Sequence, residues 1–65
     1  MTPDEIVDRL QAGERDITIR VSDERGAMSL YDEIRAIIAR RGLQRALHGV
    51  CVRLAPEKAI VTYGD

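Results

Sequence analysis

The sequence predicts an α+β protein in the order helix, strand, helix, strand, strand. Three observations carry that reading. A capped amphipathic segment opens the chain, a strictly alternating DITIRVS follows it, and GVCVRLAPEKAIVTYG reads as two alternating runs around a proline turn. At 65 residues and 45% hydrophobic content, with no Phe or Trp, the chain reads as one domain over residues 1–65 with an aliphatic core. A chain of this size buries only about 60% of the surface its unfolded form exposes. Its single cysteine, Cys51, rules out an internal disulfide, so local structure or association with another chain must compensate.

The first helix is placed at residues 3–12. Thr2 is a suitable N-cap, Pro3 stands where a missing N–H is harmless, and Glu5 completes a capping box. Met1 and Ile6 occupy the positions of a hydrophobic staple, Ile6, Val7 and Leu10 form the apolar stripe, Glu5 can reach Arg9, and Gly13 stops the helix. In DITIRVS, Ile17, Ile19 and Val21 point one way while Thr18, Arg20 and Ser22 point the other. DERG is then expected to turn the chain, and Ser29 to cap a second helix with Asp32 three positions on. Leu30, Ile34, Ile37 and Ile38 fall on one face of that helix with Tyr31 at its edge, while Asp32, Arg35, Ala36 and Ala39 lie opposite.

RRGLQRALHG, residues 40–49, resembles a basic finger more than any other stretch does. Much of it reads as a helix terminus. Arg40 and Arg41 face the partial negative charge of the last carbonyls, Gly42 suits a left-handed stop, and Leu43 can fold back on Ile38 in a Schellman ending. Arg45 and His48 lie beyond that explanation. In the hairpin, a turn containing Pro56 that sets Leu54 opposite Ala59 also sets Val52 opposite Val61, Arg53 opposite Ile60 and Cys51 opposite Thr62. The apolar face is then continuous, whereas a one-residue slip would turn Val61 and Tyr63 to solvent. The strand–helix–strand passage favours a right-handed crossover with parallel outer strands, and the hairpin adds an antiparallel third strand that can lie between them, so the expectation is a two-layer domain with both helices on one face of a three-stranded mixed sheet.

Catalytic and metal chemistry find little support. His48 and Cys51 are the only candidates for a nucleophile–base pair, and their opposite parity on a strand turns them apart. As metal ligands they lack two further donors, and no cofactor motif is present. The carboxylate pairs Asp4–Glu5 and Asp32–Glu33 sit in first helical turns, where the helix dipole favours acids. A signal peptide and a membrane span are both missing from the sequence pattern, so a soluble, cytoplasmic, non-enzymatic protein is expected.

Net charge of −1 conceals an asymmetry. Residues 1–33 hold nine acids against four arginines, and residues 34–65 hold six bases against Glu57 and Asp65. On the uncovered sheet face the register places Thr18, Arg20, Ser22, Cys51, Arg53, Lys58, Ile60 and Thr62, with three bases and no acid. That face is the expected partner-binding surface, centred on Arg20 and Arg53 with Lys58, Ile60, Thr18 and Thr62 around them, for a protein partner or a second copy of the chain. The function this suggests is an adaptor, regulator or blocking inhibitor of a larger protein machine, by analogy with small proteins of this size that phages and plasmids carry. The alternative is a regulatory domain binding RNA or DNA, in which Arg20, Arg53 and Lys58 join Arg40, Arg41, Arg45 and His48 as anion contacts. Its weakness is a sheet face without the aromatic residues that stack bases.

Overall fold

The computed structural model describes residues 1–64 and contains α1 (Pro3–Gln11), β1 (Ile17–Arg20), α2 (Glu24–Arg41), β2 (Cys51–Ala55) and β3 (Lys58–Thr62). Thr2 caps α1, its hydroxyl accepting from the Glu5 N–H at 3.3 Å. The reciprocal half of the capping box is altered, because the Glu5 carboxylate accepts from the Thr2 hydroxyl at 3.4 Å. Met1 is 56% exposed and does not staple Ile6; its sulfur instead accepts from Arg9 at 3.7 Å. Arg9 also pairs with Glu14 at 3.3 Å, in place of the expected Glu5. The chain can turn back there because Gly13 takes a φ of 100°, which lets the Glu14 N–H reach the Arg9 carbonyl and the Gly13 N–H reach that of Leu10.

The second helix begins earlier than Ser29. Asp23 is its N-cap, with a carboxylate oxygen accepting from the Gly26 N–H at 2.9 Å, so DERG forms the cap and first turn of α2 and Ser29 is an exposed helical residue. A capping Asp is competitive with Ser, and Gly26 is tolerated because it lies in the first turn, where its N–H is taken up by the cap. This early start also ends β1 at Arg20 and leaves Ser22 outside the sheet. At the other end Gly42 has φ 69° and ψ 33°, and the Leu43 N–H meets the Ile38 carbonyl at 2.9 Å while that of Gly42 meets Ala39 at 3.2 Å. Those two bonds make a Schellman ending.

The sheet has strand order β1-β3-β2, and both ladders are antiparallel. The expectation of a mixed sheet is corrected on this point: β3 separates β1 from β2, so no parallel pair forms. The hairpin aligns Leu54 with Ala59, Val52 with Val61, Arg53 with Ile60 and Cys51 with Thr62. Its two-residue turn sets Pro56, whose ring fixes φ, before Glu57 at φ 60°, the order of a type II turn. Across the sheet, Ile17 opposes Val61 and Ile19 opposes Ala59.

A single cluster joins Ile6, Val7 and Leu10 of α1 and Ile34, Ile37 and Ile38 of α2 to Ile17, Val61 and Leu47. Every large member is aliphatic, and Ile6, Leu10, Ile34, Val7 and Val61 are fully buried. Between α2 and β2, residues 44–49 make tight turns that bury Leu47, then Gly49 passes close to the C-terminal segment at φ 69°. A Cβ on Gly49 would lie 3.3 Å from the Gly64 carbonyl oxygen, whereas one on Gly26 would meet nothing closer than Asp23 at 3.5 Å. The same substitution should therefore act with opposite sign at the two positions. Gly26→Ala is expected to raise stability by about 0.5–1 kcal/mol through helix propensity, and Gly49→Ala to lower it by about 1–2 kcal/mol through left-handed strain and crowding; urea unfolding of both variants checks the pair.

Candidate functional site

Alternation along the strands sorts their side chains onto two faces. Ile17, Ala59 and Val61 are buried, while Thr18, Arg20, Cys51, Arg53 and Lys58 are exposed and Ile60 and Thr62 half-buried. The pairing arranges this second face in rows. Arg20, Lys58 and Ala55 lie in one, Thr18, Ile60 and Arg53 in the next, and Thr62 stands beside Cys51. The sequence-predicted partner-binding residues Arg20, Arg53, Lys58, Ile60, Thr18 and Thr62 are thus neighbours across three strands.

The electrostatics differ from the expectation in one respect. Asp16, immediately before β1 and held at a φ of 56°, reaches Arg53 at 3.6 Å, so the face is not free of acid. Asp16 shares the parity of Thr18 and Arg20, so the alternation of DITIRVS continued back by one residue places this acid on the same face. Arg53 is therefore partly neutralised. Arg20 and Lys58, by contrast, stand directly opposite each other on adjacent strands, and neither forms an ion pair among the described residues. Like charges in directly opposed positions repel. The cationic centre outside any described ion pair is this doublet, in a shallow depression bordered by Thr18, Pro56 and the acidic Glu57, and not the expected Arg20–Arg53 pair.

The basic cluster 40–48 divides. Arg41 donates to Asp8 at 2.6 Å and to Asp4 at 3.1 Å, and Arg40 lies 3.8 Å from Asp4. The hydrogen bond to Asp8, opposed by desolvation and reinforced by the charges of Asp8 and Asp4, holds the Arg41 guanidinium above its ordinary pKa. These contacts tie the C-terminal end of α2 to the first turns of α1. Arg45 and His48 are exposed in the turns after α2. An 18-residue helix is about 27 Å long, and Arg20 lies near its start. Arg40, Arg41, Arg45 and His48 therefore do not form one continuous track with Arg20 and Lys58.

His48 contributes a backbone carbonyl to Gly64 at 2.8 Å, and Cys51 is an exposed free thiol on the sheet. Among the described residues no group of three or more His, Cys, Asp or Glu side chains is placed to hold a metal ion. No described helix is long and apolar enough to cross a membrane. The chain matches no known protein family, no curated protein and no solved structure.

A second exposed feature escaped the sequence pattern. Met28 is 62% exposed and Leu54 51% exposed, and with Tyr31 and Val52 they border a groove between α2 and β2. Leu54 has the parity of the core face, but it lies at the end of an edge strand where α2 covers it incompletely. The partial burial of Tyr31 at the margin of the helical stripe was the available signal. The ionic tie between the helices gives a direct check: Arg41→Met should lower the urea midpoint in dilute buffer, and the difference from wild type should shrink in molar salt, which screens the lost contacts.

Proposed function

We propose that the two helices form one layer against a single face of the sheet, and that the opposite face is a cationic docking surface for an acidic segment of another protein. The chain then acts as a non-enzymatic binding module, in the role of an adaptor, regulator or blocking inhibitor. One observation carries this reading: Arg20 and Lys58 are held in register on adjacent strands without a described counter-ion. That arrangement opposes folding slightly, by about 0.2–1 kcal/mol, and an incoming carboxylate relieves it. Thr18 offers a hydroxyl beside the doublet, Ile60 supplies an apolar centre with Thr62 beyond it, and Arg53 with Asp16 forms a polar rim.

A nucleic-acid ligand draws less support. Arg40 and Arg41 are engaged with Asp4 and Asp8, the sheet face displays no aromatic ring, and the two basic regions lie at opposite ends of α2.

The decisive variant is Lys58→Glu. It converts a repulsive cross-strand pair into an attractive one, so thermal unfolding should shift upward while affinity falls at least tenfold for the protein captured from a host lysate by wild type. Binding that is unchanged by Lys58→Glu removes this site from consideration. Capture that disappears after nuclease treatment, together with salt-sensitive retention on mixed RNA and DNA, establishes the nucleic-acid reading instead.

A further inference from the structure

We propose that two copies of this chain pair through the outer edge of β2, joining their sheets into one antiparallel six-stranded sheet. The hydrogen-bond pattern exposes that edge. In a hairpin with a two-residue turn the flanking residues Ala55 and Lys58 exchange backbone bonds, and so do alternate pairs beyond them. Cys51, Arg53 and Ala55 therefore direct their N–H and C=O groups at β3, and Val52 and Leu54 direct theirs away from the sheet. The bond from the Val21 N–H to the Glu57 carbonyl at 3.3 Å fixes the same alternation on the β1 side of β3. No proline interrupts β2, and the residue nearest its open end on the core-facing side, Leu54, is apolar and exposed. Natural edges are usually protected by charge, proline or a bulge; the one charged residue of β2, Arg53, lies on the face opposite Val52 and Leu54.

The edge is complementary to itself. If Val52 lies opposite Val52 of the second copy, Leu54 meets Val50 and Arg53 meets Cys51. Apolar groups then face one another on the helix side, and no like charges are opposed. Centring the pair on Arg53 instead would set two guanidinium groups against each other. The flank of α2 beside β2 agrees with the first register. Glu24, Met28, Tyr31 and Arg35 form a stripe at successive helical turns, with Tyr31 bordering both the groove at Val52 and its continuation at Val50. A two-fold axis at the level of Val52 passes between Met28 and Tyr31. It places Met28 against Tyr31 of the second copy and Glu24 against its Arg35. Both apolar contact and opposite charge are satisfied twice by the one symmetry operation.

This inference is independent of whether the opposite sheet face binds a partner, and its readout is the oligomer alone. Sedimentation of the wild-type chain should show a concentration-dependent dimer, and Leu54→Lys should shift it to monomer. The register is tested by Arg53→Cys under mild oxidation. Cys51 and the introduced thiol would sit in a non-hydrogen-bonded cross-strand pair at a Cα separation of about 4.5 Å, within disulfide reach. A covalent dimer should form in Arg53→Cys and vanish when Cys51→Ser is added. A strictly monomeric wild type at high concentration, a dimer that persists in Leu54→Lys, or a cross-link that survives Cys51→Ser would each overturn the proposal. If Leu54→Lys fails to fold by circular dichroism, Val52→Pro replaces it, since it deletes an outward N–H that β3 does not use.

Discussion

The position of β3 between β1 and β2 governs both the core and the surface of this molecule. Ala59 and Val61 are fully buried, whereas Lys58, Ile60 and Thr62 alternate with them on the other face. Each is held in place twice, by a register to β1 and a register to β2. A slip of one residue on either side would bring Lys58 into an aliphatic core with no buried polar partner to receive it. That consequence makes the register strongly specified even though the strands are short. It also means that the strand completing the sheet comes last in the chain and must find β1 near its beginning, so the fold depends on contacts between distant segments.

The charge asymmetry of the chain acquires a structural meaning from these contacts. Acidic residues of the first half meet basic residues of the second inside one molecule: Asp4 and Asp8 with Arg40 and Arg41, and Asp16 with Arg53. Each contact is exposed and individually modest. Together they draw the beginning of the chain to its later elements, and they remove much of the field that an acidic half and a basic half would otherwise present to other molecules. On the sheet itself Arg53 is paired in this way, and Arg20 and Lys58 are the strand cations without a described ion pair.

Elements whose signal is local were legible in the sequence. Thr2 and Pro3 mark the start of α1, Gly42 and Leu43 mark the end of α2, and the agreement of two alternating runs fixes the hairpin register. What was not legible depends on a choice between adequate alternatives or on strand order. Asp23 and Ser29 are both competent caps, and Gly26 between them reads as a turn until the earlier cap is seen to be occupied. Asp16 shares the parity of Thr18 and Arg20, but its approach to Arg53 depends on the strand order β1-β3-β2, which no local signal in the sequence supplies. For the same reason the parity of Arg20, Arg53 and Lys58 could be read along each strand, but not which of them a carboxylate would neutralise.

A core built from isoleucine, valine and leucine in a chain this short leaves little reserve of stability. Backbone groups at sheet edges add nothing to that reserve when they face water. The two edges of this sheet differ in kind. The β1 edge is four residues long and carries no exposed large apolar side chain. The β2 edge is flanked by Leu54, Met28 and Tyr31, whose apolar surface a monomer leaves in contact with solvent. Covering that surface would extend the aliphatic core without altering a single internal contact, and it would leave the Arg20–Lys58 doublet untouched on the other side of the sheet. The apolar surface beside β2 and the Arg20–Lys58 doublet are built from different residues, so covering one does not require covering the other.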